Sequence, residues 1–168
     1  PDAPLFKYHL LERPSDSAPE PPLLGQALGV DPATVAWLLG GYQPHAGLGP
    51  CASLWRPPSE KSVRRPGAGD GDALLAGKAW SDLEQALAML GSEREQPVVV
   101  FYGQDLVSQQ AAARLLAAQA RRPLFTVNLA EAAGSAAMPP LRAMQLALRD
   151  ARMTGAIPCL AGWDVCLA

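Results

Sequence analysis

The sequence predicts an α/β fold: a parallel sheet flanked by helices, preceded by a loosely structured, partly helical N-terminal segment. Three observations carry that expectation. Apolar, β-branched runs at 97–103, 123–129 and 155–163 have the continuous character of strands buried on both faces. The segments between them, one with a stripe running from Val107 to Ala118 and one over roughly 138–153, carry helical periodicity instead. Strands that alternate with helices give the β-α-β-α-β rhythm of a right-handed parallel arrangement. Upstream of residue 73, by contrast, proline and glycine break the chain into short pieces.

Taken in order, the first 72 residues hold two proline-rich, charged stretches, "ERPSDSAPEPP" (12–22) and "RPPSEKSVRRPGAGDGD" (56–72), which read as linkers. Between them a short helix is expected over about 31–39. Asp31 is its cap, Pro32 its first residue, Val35, Leu38 and Leu39 its apolar side, and Gly40 and Gly41 its stop. The second region, 73–168, opens with another helix: Ser81 and Glu84 have capping-box spacing, Leu83, Leu87 and Leu90 share a face, and Gly91 ends the pattern.

"PVVVFYG" is the first expected strand of the sheet. In the helix that follows, Val107, Ala111, Leu115 and Ala118 form the inward stripe while Gln110, Arg114 and Arg121 face away. "RPLFTVNL" is the second strand. The helix over 138–153 starts on Pro139 and Pro140, with Leu141, Met144, Leu148 and Ala151 inward and Arg142, Gln145, Arg149 and Arg152 outward. "GAIPCLAGW" is the third strand. The four tryptophans, Trp37, Trp55, Trp80 and Trp163, have no stacking-motif spacing and read as packing residues.

Composition narrows the function classes. With 168 residues the chain suffices for one ordinary domain or a domain with an appended segment. Its 16 acidic and 14 basic side chains, scattered and giving a net charge of −2, argue against nucleic acid or an anionic membrane as a partner. Cys51, Cys159 and Cys166 lack C-x-x-C spacing and share the chain with only His9 and His45, so neither a metal site nor a disulfide framework is expected, and a reducing cytoplasm is. Cys159, mid-strand, is expected to be buried and inert, and Cys51, beside Pro50 in a loop, the readiest to react. Neither histidine has partners in a triad order, and Ser108 follows no G-x-S-x-G elbow.

The stretch "VVVFYGQDLVSQQAAARLL" (98–116) starts like a phosphate-binding loop. Such a loop needs glycines that let backbone N–H groups converge, a Lys for the outer phosphates and a hydroxyl for magnesium, all at a helix N-terminus. Against G-x-x-x-x-G-K-[ST], Gly103 is kept, but Ser108, Gln109 and Gln110 stand where the second Gly, the Lys and the hydroxyl belong. Losing the Lys contact, about 1.5–3 kcal/mol, weakens binding by roughly one to two powers of ten. Asp105 adds repulsion toward phosphate. The residues alone leave two readings open, a decayed nucleotide site or a generic strand-turn-helix.

The segment from about 98 to 168, through "RRPLFTVNL", "LRDARMTGA" and "LAGWD", resembles the first, degenerate ATPase-like domain of the AAA+ ATPases encoded with phage-tail-like contractile injection systems. "LLGQALGVDPATVAWLLGG" looks like the segment preceding that domain. The resemblance implies a truncated P-loop-NTPase-like sheet. It implies a bacterial, cytoplasmic, non-catalytic interaction module contributing to assembly or substrate recognition. Its partners would be a neighbouring AAA+ domain or other subunits in a homo-oligomer, together with sheath or tube proteins of the injection system. In such proteins ATP and Mg belong to a later domain with intact motifs, and this chain ends before one could begin. At the end of the third strand, where the family places Asp-Glu for magnesium and water, stand Ala161 and Gly162, with Asp164 two to three residues late. No cofactor, no metal and no autonomous hydrolysis are therefore expected, and Gly103, Ser108, Gln109 and Gln110 are only degenerate phosphate-loop positions. The alternative is a weak or divergent ATP-binding NTPase domain. The resemblance also implies a gap between the first and third strands, closed by their direct pairing, by insertion of "LFKYHLL" (5–11) or "ALLAGKAW" (73–80), or by another copy of the chain.

Overall fold

The computed structural model describes residues 4–12, 28–58, 81–82, 84–85, 88–89, 98–103, 105–134 and 138–166. They form two compact units, one combining Pro1–Leu54 with Phe125–Ala168 and the other spanning Trp55–Leu124. The boundary expected between 72 and 73 lies outside the described residues.

The first unit begins with one helical turn, α1 (Pro4–Lys7), and a short antiparallel ladder of β1 (Leu11–Glu12) and β2 (Gly29–Val30) in which Leu11 faces Val30. Helix α2 (Pro32–Leu38) starts as the sequence predicts: the Asp31 carboxylate accepts a hydrogen bond from the Thr34 N–H at 2.8 Å, and Pro32 opens the first turn. Gly40, at φ +78°, lets the chain leave the helix. Its orientation is the reverse of the expected one. Ala33 and Thr34 are buried, whereas Val35, Leu38 and Leu39 are exposed. The buried carboxylate of Asp31 turns the small side of the helix inward.

A 3₁₀ segment (Ala46–Cys51) leads into β3 (Ala52–Trp55). The strands β4 (Leu124–Asn128) and β5 (Ile157–Ala161) are the second and third strands expected from the sequence. Together they make an α/β unit with a small three-stranded, mixed, open sheet of order β3-β4-β5 flanked by helices. Two corrections follow. The sheet is mixed rather than parallel, and the expected first strand does not form, because residues 98–102 adopt no strand and Ala52–Trp55 pairs with the central strand instead. A β-branched run states a preference for extended backbone, but which segment pairs with β4 is decided by packing. Ala52 and Leu54 earn the position by resting on the core. Of the segments considered for insertion, residues 5–11 contribute to α1 and β1, and 73–80 lie outside the described residues.

Between β4 and β5 run α4 (Leu129–Gly134) and α5 (Pro140–Thr154), while α3 (Leu106–Gln119) belongs to the second unit. Pro140 sits in the first turn of α5, and Gly155 at φ +66° closes it, with the Ala156 N–H reaching back to the Ala151 carbonyl at 2.8 Å. The core joins Leu48, Phe125, Val127, Leu129, Met138 and Leu146 with the alanines of α5. Burying each large side chain contributes about 1.5–3 kcal/mol. On α5 the buried stripe is Ala143, Leu146, Ala147, Asp150 and Ala151, with Arg149 beside it. Leu141 and Leu148, expected inward, are exposed, and Arg149, expected outward, is 6% exposed. Alanines let the helix pack closely on the core, so the small face wins over the leucine face.

In the second unit α3 (Leu106–Gln119) buries Ala112, Ala113, Leu116 and Ala117. Relative to the expected stripe this is a rotation by one residue: Val107 is exposed, while Gln110, Arg114 and Arg121 are exposed as expected. Residues 81–82, 84–85 and 88–89 are helical, as expected, but Ser81 lies within the helix rather than capping it, and Leu83, Leu87 and Leu90 lie outside the described residues. Among the tryptophans, Trp37 and Trp163 are exposed rather than packed, Trp55 is half-buried, and Trp80 lies outside the described residues. Among the described residues no helix is long and apolar enough to cross a membrane.

Candidate functional site

At the start of α3 the phosphate-loop positions are engaged with one another. Asp105 is the cap: its Oδ1 accepts from the Val107 N–H at 3.0 Å and the Ser108 N–H at 3.2 Å, and the Ser108 hydroxyl donates to its Oδ2. The hydroxyl bond from Ser108 and then the backbone bonds hold the Asp105 carboxyl below the usual carboxylate range. Gln109, at the position of the missing Lys, turns back, and its Nε2 donates to the Gly103 carbonyl at 2.9 Å. Gln110 points to solvent. Gly103, at φ +133°, keeps the backbone freedom of the loop. The result is a helix N-terminus whose converging N–H groups already hold an anion, supplied by the chain.

The end of β5 is equally specific. Gly162 has φ +62°, and a Cβ there would meet the Ala130 Cβ at 2.9 Å, the Ala130 N at 3.2 Å and the Asn128 Oδ1 at 3.3 Å. Asn128 is fixed in that place because its Oδ1 caps α4 through the Ala130 and Glu131 N–H groups and its Nδ2 donates to Glu131 Oε1 at 2.7 Å. A glutamate cannot stand at 162 without moving this cap. Asp164 lies exposed in the 3₁₀ turn Trp163–Cys166. Among the described residues no group of three His, Cys, Asp or Glu is arranged to hold a metal ion.

A second constellation, absent from any motif, lies in the first unit. Asp31, Arg149 and Asp150 are all buried and mutually close. Arg149 Nε donates to Asp150 Oδ1 at 2.8 Å, and Nη1 donates to the His9 carbonyl at 2.5 Å. Nη2 lies 2.8 Å from Asp150 Oδ1 and 3.2 Å from Asp31 Oδ2, too oblique for directed hydrogen bonds, so its attraction there is Coulombic. The Asp31 Oδ2 also accepts from the Thr34 hydroxyl at 3.0 Å. Asp150 Oδ2 accepts from the Tyr42 hydroxyl at 2.7 Å and the His45 N–H at 3.3 Å. His45 Nδ1 accepts from the Gly47 N–H at 2.9 Å, so the ring proton sits on Nε2, which faces Asp31 Oδ1 at 3.3 Å. Burial, followed by the bond to Asp150, raises the Tyr42 pKa far above the ordinary phenol range and keeps it a donor.

His9, at φ +52°, holds a left-handed backbone and contacts Gln145 Oε1 through Nε2 at 3.2 Å. Both histidines therefore serve this cluster. From the sequence Asp31 reads as a cap and Arg149 as part of an outward, solvated face. The available signal was the Arg149-Asp150 pair, set at the edge of an otherwise alanine-rich stripe, where a charge needs a partner. As chemistry, the cluster fastens residues 9, 31, 42 and 45 to α5: Asp150 accepts from Tyr42 and His45, Arg149 donates to the His9 carbonyl, and the Arg149 charge attracts Asp31. Of the cysteines, Cys159 is partly buried, and its thiol is pushed up by burial against an opposing bond from Thr126. Cys51 is half-buried against the core and Cys166 is the exposed one, which corrects the expected order of reactivity.

Compared with protein-family models, curated proteins and solved structures, the chain matches none.

Proposed function

We propose that this chain is a non-catalytic, degenerate ATPase-like interaction module of an AAA+ ATPase associated with a contractile injection system, acting in the bacterial cytoplasm. It contributes to assembly or substrate recognition through a neighbouring AAA+ domain or further subunits, with sheath or tube proteins as the wider partners. The observation that carries the non-catalytic part is the self-capped loop: Asp105 occupies the Val107 and Ser108 N–H groups, and Gln109 is bonded back to Gly103. A phosphate would have to displace one carboxylate and overcome its charge, with no Lys to compensate. The glycine required at 162 supports the same reading, because it leaves no room for the acid that polarises water. The family assignment itself rests on the sequence resemblance.

Calorimetric titration with Mg-ATP tests the proposal. The expected outcome is no saturable binding tighter than about millimolar. Saturable binding at tens of micromolar would overturn it in favour of a divergent nucleotide-binding domain.

A further inference from the structure

The two ring nitrogens of His45 meet two parts of the first unit that pull the residue toward opposite protonation states. On one side Nδ1 accepts the Gly47 N–H at 2.9 Å, which makes His45 the side-chain cap of the 3₁₀ segment leading into β3. That turn is tight as well as capped. A Cβ at Gly47 would meet the Met138 Cε and the His45 Cε1 and Nδ1, so the glycine is wedged between the imidazole and a core side chain. The next residue, Leu48, is buried in the same core, and its N–H donates to the His45 carbonyl at 2.9 Å.

On the other side Nε2 lies 3.3 Å from Asp31 Oδ1, a buried oxygen that accepts no hydrogen bond. The charge there is unbalanced. Among the described residues, the buried carboxylates of Asp31 and Asp150 are opposed by the guanidinium of Arg149, which leaves one negative charge in excess while His45 is neutral. Neither remaining neighbour corrects this: Tyr42 stays a neutral donor to Asp150, and His9 reaches the cluster through its backbone carbonyl, with its ring on Gln145. A positive charge on His45 would restore neutrality where water screens little.

We propose that His45 is a proton-operated latch, which when neutral holds the turn at Gly47 and when protonated pairs with Asp31 and lets Gly47 go. The step is the transfer of one proton from solvent to Nδ1, and the side chain, 11% exposed, is within reach of water. Histidine is the side chain that changes charge between about pH 5 and 8. An imidazolium has a donor on both nitrogens, so the Gly47 N–H loses its acceptor and faces another N–H. The turn that leads to the edge strand β3 is thereby loosened in acid, while the charge pair with Asp31 is strengthened. The inference stands apart from the ATPase-like reading, and tight nucleotide binding would leave it untouched.

The test follows the ring nitrogens of His45 and the Gly47 amide of the whole chain by NMR from pH 8 to pH 5. As His45 gains its proton, hydrogen exchange at Gly47 is expected to quicken about fivefold or more once the intrinsic pH dependence of exchange is removed, with the same midpoint as the ring. His45→Asn keeps a capping oxygen for the turn but cannot take up the proton, so in that variant Gly47 should stay protected down to pH 5. A ring that remains neutral at pH 5 overturns the proposal. So does a ring that titrates while Gly47 keeps its protection, and so does an acid-induced release of Gly47 that persists in His45→Asn.

Discussion

The phosphate-like loop and the buried charge cluster make an instructive pair. Around Asp105 the bonds join residues two to six positions apart, all on an exposed helix start. Around Arg149 and Asp150, besides bonds between near neighbours, others join residues 105 to 140 positions apart, and the charged groups are out of water. The first region has a motif-like sequence and closes on itself, leaving its neighbours free of it. The second has no motif and ties three stretches of the chain together. A recognisable pattern thus marks where local geometry is repeated, whereas structural dependence concentrates where desolvated charges have no substitute partner.

The comparison is broken most forcefully at Arg149. Arg149→Ala leaves two buried carboxylates facing each other, and a loss of about 3–5 kcal/mol in unfolding free energy is expected, read from the denaturant midpoint. A loss no larger than that of an exposed substitution would show that the cluster is solvated. Next comes the strand end. Gly162→Ala combines a strained positive φ with a contact against Ala130, and roughly 1–3 kcal/mol should be lost. If Gly162→Glu were as stable as the starting protein, the steric argument against an acidic residue there would fail.

Tyr42→Phe removes a donor to Asp150, at a cost of about 1–3 kcal/mol. It also sharpens the comparison through pH. Because the folded protein raises the Tyr42 pKa, its contribution is complete below the unfolded value of about 10 and is lost as pH rises beyond it. The stability difference between the two proteins should therefore be constant from neutral pH to about 9 and shrink above 10. The Cys159 thiol, also raised, adds an alkaline decline common to both. A difference that stays flat to pH 11 would place the Tyr42 hydroxyl in solvent.

The smallest effect belongs to the loop. Asp105 has a lowered pKa, so its contribution is present above the ordinary carboxylate range and lost as pH falls through the folded value. Asp105→Asn should shift stability only slightly at neutral pH and flatten the response to acid below about pH 4. Restoring Lys at Gln109 together with Thr at Gln110 should add some nucleotide binding and no turnover. Turnover in that double variant would refute the assignment of Ala161 and Gly162 as a missing acidic pair.

By itself the sequence determined the events that finish within one helical turn: Asp31 and Pro32 starting α2, Pro140 in the first turn of α5, and the β-rich runs that became β4 and β5. These depend on bonds between near neighbours, and their signals are written side by side in the chain. Tertiary structure alone decided which face of each helix is buried, why Ala52–Trp55 rather than 98–102 joined the sheet, and where Arg149 found Asp31. An apolar or β-branched residue states only that it prefers burial or extension, and several segments state this equally well. The choice among them is made by close packing of alanines and by the need to pair a desolvated charge, the latter with residues more than a hundred positions away.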